Sequence, residues 1–204
     1  MSGQLSEELR TLIRPIARLQ LLMWSTIFVP KIIYGVILYV MNTQGVKIEA
    51  NLPPVTLYVL GAVAGLSVVV GIAVHVFFSS ERRIAACVSS VPNDEELAKD
   101  PRTHRASPER LALVRHLSRL EKGLLNYARK SFTFFMLSTP TVHTCAVVGL
   151  LVAILVGRPL VYLPFALLAA VPTLFMRPRL FERMEDYARM QPPRPDDQGD
   201  GLRD

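Results

Sequence analysis

Apolar residues fall along this chain in four long blocks, separated by stretches rich in charge and proline. Residues 19–41 (LQLLMWSTIFVPKIIYGVILYVM) carry a single charge, Lys31, and are otherwise apolar or weakly polar. At about 1.5 Å of rise per residue, a helix of that length crosses a bilayer core of about 30 Å. Residues 55–79, 131–156 and 160–176 repeat the pattern, the last block being short and holding Pro164 and Pro172. A soluble helix would instead intersperse polar positions at a 3.6-residue period. The pattern predicts an all-α, polytopic four-helix membrane protein. Its first transmembrane hairpin covers 19–79, its second 131–176, and amphipathic cytoplasmic helices lie outside them.

The polar stretches have patterns of their own. Ser6 offers an N-cap, with Glu7 and Glu8 in the first turn, where the helix dipole favours negative charge. Leu5, Leu9, Leu12, Ile13 and Ile16 recur at helical spacing beside an edge of Arg10, Arg14 and Arg18. This predicts a cytoplasmic amphipathic helix over 1–18, suited to lie on lipid headgroups, with residues 1–5 frayed and Pro15 marking a bend. Residues 80–130 form a cytoplasmic loop and helix. The loop is 89–106, and Ser107-Pro108-Glu109 reads as a helix start. Leu113, Leu117, Leu120 and Leu124 extend that helix straight into the third span. Their stripe needs a cover: the N-terminal helix, the C-terminal helix, the membrane surface or another protein. Residues 177–204 hold one more helix and a disordered tail from Gln191.

Charge sets an orientation. The three polar segments expected in the cytoplasm carry twenty Lys and Arg, whereas the two short loops hold only Lys47 and Arg158. A positive-inside bias of that size places both termini in the cytoplasm of a multi-pass inner-membrane protein. Tyr34, Tyr39, Tyr58 and Tyr162 then cluster toward the opposite face as an aromatic belt. The net charge of +6 sits on segments flanking the apolar blocks, so anionic headgroups, not nucleic acid, are the expected partner. Glu7 and Glu8 stand where a signal peptide would be basic, and the first apolar run is too long for one, so that run should be retained. Cys87 and Cys145 fall in a polar segment and a span, which argues against a disulfide.

Few residues promise chemistry. Lys31 and His143 each lie twelve residues into a span from the cytoplasmic side, each close to a proline. A proline leaves one backbone carbonyl without its donor, and such a carbonyl can accept from a buried ammonium. Lys31, Thr139, Thr141 and His143 are therefore a candidate midplane polar site, proton-linked or anion-binding. The structural alternative has Lys31 bonded to carbonyls or lying at a subunit contact, with His143 satisfied by the threonines. Gly61-x-x-x-Gly65, continued by Val68, Ile72 and His75, forms a candidate helix-packing face, for another span of this chain, a second copy or another membrane protein. No His, Cys, Asp and Glu grouping has metal spacing, and no phosphate loop or hydrolase motif is present, so no metal, cofactor or enzymatic activity is expected. The spans contain no Asp or Glu, which makes a cation-driven carrier a poor fit.

Leu137-Ser138-Thr139-Pro140, the run Gly149-Leu150-Leu151-Val152-Ala153 and the step Ile33-Tyr34-Gly35-Val36 resemble a group of uncharacterised bacterial four-span inner-membrane proteins. Their helical hairpins are similar to those of rotary-ATPase proteolipid subunits. The resemblance implies two packed hairpins. Where that pattern has an acid this chain has Ser138 or Thr139, so an ion-binding carboxylate has no counterpart here. The function expected is a scaffold or accessory subunit of a membrane complex, with a small transporter or channel component as the alternative.

Overall fold

A computed structural model of the chain describes residues 5–46, 53–100, 103 and 105–191. Of the N-terminal stretch expected to fray only Leu5 is described, and it is buried; Lys47, His104 and the residues beyond Gln191 lie outside the described residues. Among those described, every extended element is a helix, and the connections include one isolated bridge, Lys99 to Ala106. The chain forms α1 (Glu7–Thr43), α2 (Pro54–Phe78), α3 (Glu81–Ser89), α4 (Asp94–Ala98), α5 (Pro108–His116), α6 (Arg119–Val156), α7 (Tyr162–Phe175) and α8 (Leu180–Met190). A 3₁₀ turn, Pro159–Val161, precedes α7. Three helices, α1, α2 and α6, are long and apolar enough to cross a membrane. The block at 160–176 yields only the 14 residues of α7 behind that turn.

The chain divides into two compact units. The first comprises Met1–Ala17, Glu81–Arg129 and Arg179–Asp204. Its helices start where side chains satisfy the first free N–H groups. Ser6 Oγ accepts from Leu9 N–H (3.3 Å), Asn93 Oδ1 from Glu96 N–H (2.9 Å) and Ser107 Oγ from Arg110 N–H (3.2 Å). The second of these caps places α4 inside the stretch expected to be loop.

A further cap breaks the helix that the leucine stripe predicted to be continuous. Ser118 Oγ accepts from Glu121 N–H (3.3 Å), and Glu121 Oε2 accepts from Ser118 N–H (3.0 Å). This reciprocal capping box starts a new helix, with Leu117 extended before it. Glu121 Oε1 also accepts from Ser6 N–H at 3.2 Å. Burial opposes ionisation of Glu121, but the hydrogen bonds from Ser6 and Ser118 outweigh it and hold the carboxyl below its ordinary value.

The N-terminal apolar face does not lie open for headgroups. Leu9, Ile13 and Ile16 are fully buried, as are Leu97, Leu124, Leu125 and Met184 of the same unit. α1 runs through Pro15 as one helix, Glu7–Thr43. Polar pairs fix the helices against one another: Arg10–Glu185 at 3.0 Å, Lys122–Asp94 at 2.8 Å, and Asn126 Nδ2 donating to Ser90 O at 3.1 Å. The cover left open by the sequence pattern is thus the chain itself, because three distant segments close one core.

The second unit comprises Arg18–Ser80 and Lys130–Pro178. Its core is made of small and branched residues: Ala64, Val68, Val142, Cys145, Ala146, Val152 and Ala169. Two glycines allow the closest helix approaches. A Cβ at Gly71 would lie 2.4 Å from Val142 Cγ2, and one at Gly149 would lie 2.2 Å from Phe165 Cβ. Trp24 Nε1 donates to Thr173 O (2.7 Å), and Gln20 Nε2 to Ser131 Oγ (3.3 Å). Most of the apolar surface faces outward: of the 25 residues of α2 only Ala64, Val68 and Gly71 are buried. Helices apolar all round belong in hydrocarbon. The chain is built as a membrane protein.

Candidate polar site within the spans

Lys31 sits on the α1 face that also carries Ile27, Tyr34 and Leu38, positions three or four apart. It is 5 % exposed, so it turns into the unit and not toward lipid. Its Nζ donates to Ile27 O, one turn back on its own helix, at 2.9 Å. Tyr162, at the start of α7 and also 5 % exposed, donates its hydroxyl to the Lys31 carbonyl at 2.9 Å. Tyr34 bridges the elements. Its hydroxyl lies 3.4 Å from His143 Nε2, and its ring meets that of Tyr162 edge to face at 6.5 Å.

Of the four candidate residues, Lys31 and His143 come within electrostatic reach of each other. Thr139, one turn before His143 on α6, is fully buried, and neither its Oγ1 nor His143 Nδ1 has a hydrogen-bond partner among the described residues. Thr141 does not join them. Its hydroxyl donates to Leu137 O at 2.6 Å on its own helix, as Thr144 does to Pro140 O at 3.2 Å. In an apolar surround the carbonyl one turn back is the nearest acceptor, and a threonine takes it locally before reaching another helix. The same economy explains why Lys31 bonds Ile27 O.

Tyr34 and Tyr162 are the members that an aromatic-belt reading misplaces. Tyr39 and Tyr58 are 68 % and 78 % exposed, as a belt requires, whereas Tyr162 is inside. Tyr34 was signalled by its three-residue distance from Lys31. Nothing local signals Tyr162, which arrives from a separate hairpin. Cys145 is buried, with Sγ 3.6 Å from Phe165 O.

Within the chain, α2 packs through a different stripe from the Gly61/Gly65 face. Gly61 and Gly65 would gain a Cβ without meeting any atom within 4 Å, and Ile72 is exposed. The stripe used internally is Ala64, Val68 and Gly71, sharing only Val68 with the predicted face. His75 is half-buried near the end of α2. The register turns because α6 offers Ser138 and Val142 backbone atoms at Gly71, and only a glycine fits there.

Compared with protein-family models, curated proteins and solved structures, the chain matches none.

Proposed function

We propose that this chain is a non-enzymatic integral membrane protein, a scaffold or accessory subunit of a membrane complex. In this reading it crosses an inner membrane four times with both termini in the cytoplasm. The observation that carries it is the open glycine face of α2. Gly71 serves the chain's own packing, yet Gly61 and Gly65 meet nothing. Bare glycine backbone on a span lets a partner helix approach closely. The 3₁₀ turn and α7 together rise about 27 Å, near the hydrocarbon thickness, which supports a fourth crossing. Twenty against two Lys and Arg support the orientation and an attraction to anionic cytoplasmic headgroups.

The test is native electrophoresis of membranes solubilised in mild detergent. Gly61→Leu and Gly65→Leu are expected to shift the protein from an assembled band to a monomer. A wild type that is already monomeric, or an assembled band unmoved by both substitutions, refutes the reading. Single cysteines placed at Lys47 and Arg115 should label from opposite sides.

A second reading, a small transporter or channel component, is favoured by one observation. Lys31 is buried without an acidic residue in any span, and His143, within electrostatic reach of it, has an Nδ1 with no hydrogen-bond partner among the described residues. Intramembrane ionisable groups are costly, and a retained one marks a pathway or site. Anion or proton flux in proteoliposomes that Lys31→Met abolishes would support it. Flux absent from wild type, or unaltered by the substitution, would remove it.

A further inference from the structure

The C-terminal ends of α1 and α6 and the start of α7 enclose a groove of about 1090 Å³. Both helix ends are closed by the same device. Gly45 (φ +71) and Gly157 (φ +67) take the left-handed conformation. Val46 N–H then reaches Met41 O (3.0 Å), and Arg158 N–H reaches Ala153 O (3.1 Å). These are Schellman caps, and the second fixes the backbone of Arg158 at the groove.

The lining grades along α1. Asn42 stands at the helix end, and Leu38 and Gly35 line the groove one and two turns further in, about 10 Å deeper. Tyr162 and Leu163 form the opposite wall. Arg158 is the one charged residue in the lining, and among the described residues it enters no ion pair. At the rim Leu160 is 83 % exposed and Leu163 56 %. An occupant must therefore be anionic at one end, apolar over about 10 Å, and able to enter from the surface of the spans.

The geometry points to one anionic phospholipid, its phosphate at Arg158 and Asn42 and an acyl chain along the exposed lining residues Tyr39 and Leu163, over the buried floor of Leu38 and Tyr162. A zwitterionic lipid brings its own cation to a groove that has no acid to receive it. The inference rests on the reading that these helices cross a bilayer.

The experiment is reconstitution into nanodiscs of equal phosphatidylglycerol and phosphatidylcholine, followed by native mass spectrometry of the lipids retained per chain. Wild type is expected to keep one lipid, with phosphatidylglycerol preferred about fivefold, the value of one basic contact. Arg158→Gln should erase that preference, while Arg115→Gln should not. Leu163→Trp, which fills the groove from an exposed position, should lose the retained lipid without changing the melting temperature. Equal retention of the two lipids by wild type, or a preference that survives Arg158→Gln, overturns the inference. An alkaline carbonate wash of membranes separates the two layers of the proposal. Protein released by carbonate overturns the membrane reading and the lipid with it, whereas protein that resists carbonate but keeps no phosphatidylglycerol loses the groove alone.

Discussion

Replacing Gly71 by alanine adds one methyl group where the structure has no room for it. The new Cβ would lie 2.4 Å from Val142 Cγ2, 2.9 Å from Ser138 O and 3.2 Å from Val142 N. Carbon atoms at rest stay about 3.5–4.0 Å apart, so the first contact alone demands a shift of more than about 1 Å. Turning the Val142 side chain cannot relieve the other two contacts, which are backbone. Val142 is also fully buried and stiff at its branched carbon. The helices must separate, at a cost of about 1–3 kcal/mol for overpacking. Gly61→Ala is the control for packing within the chain, since its Cβ meets nothing there, and the comparison is made on the dissociated monomer. It should be neutral or slightly stabilising through helix propensity, by up to about 1 kcal/mol. Thermal unfolding in one detergent, followed by circular dichroism, reads both. At roughly 2–4 °C per kcal/mol, Gly71→Ala should lower the midpoint by several degrees and Gly61→Ala should not lower it. Equal effects at the two positions, or a tolerated Gly71→Ala, would show that α2 does not pack on α6 through this stripe.

Further expectations concern other parts of the chain. Glu121→Gln should destabilise the polar unit by about 1–2 kcal/mol, because one carboxylate serves the α6 cap and Ser6 together. Its native carboxyl titrates below the ordinary 4.5, so the unfolded chain takes up a proton first. The stabilisation is therefore complete above the ordinary value and is lost as pH falls through the depressed native one. Acid titrations of wild type and Glu121→Gln should converge at low pH, and parallel curves would refute the assignment. Gly157→Ala places a Cβ in the left-handed region and should cost about 1–2 kcal/mol in the same melt. Tyr162→Phe deletes the hydroxyl on the Lys31 carbonyl and should cost about 0.5–1.5 kcal/mol. Lys31→Met, by contrast, removes an ammonium with no acidic partner in the spans and should raise the melting midpoint. A fall would mean that the lysine holds the fold together.

The helical class and three long apolar helices were legible in the linear pattern, because a backbone in hydrocarbon must satisfy itself and long uninterrupted apolar runs leave it only the helix. Local caps were legible too. Ser6 and Ser107 act where their positions announced them, and Ser118-x-x-Glu121 was present in the sequence but hidden by a leucine stripe that runs across it. Tertiary structure alone decided the rest. It chose Gly71 over Gly61 and Gly65, since which glycine a span needs depends on where the neighbouring backbone comes closest. It turned Tyr162 inward to Lys31 and left Thr141 on its own helix, because the partner of a buried polar group is the nearest acceptor in space. It covered the N-terminal apolar face with protein, from segments some hundred residues away, since burial is non-directional and no local pattern records which surface will supply it.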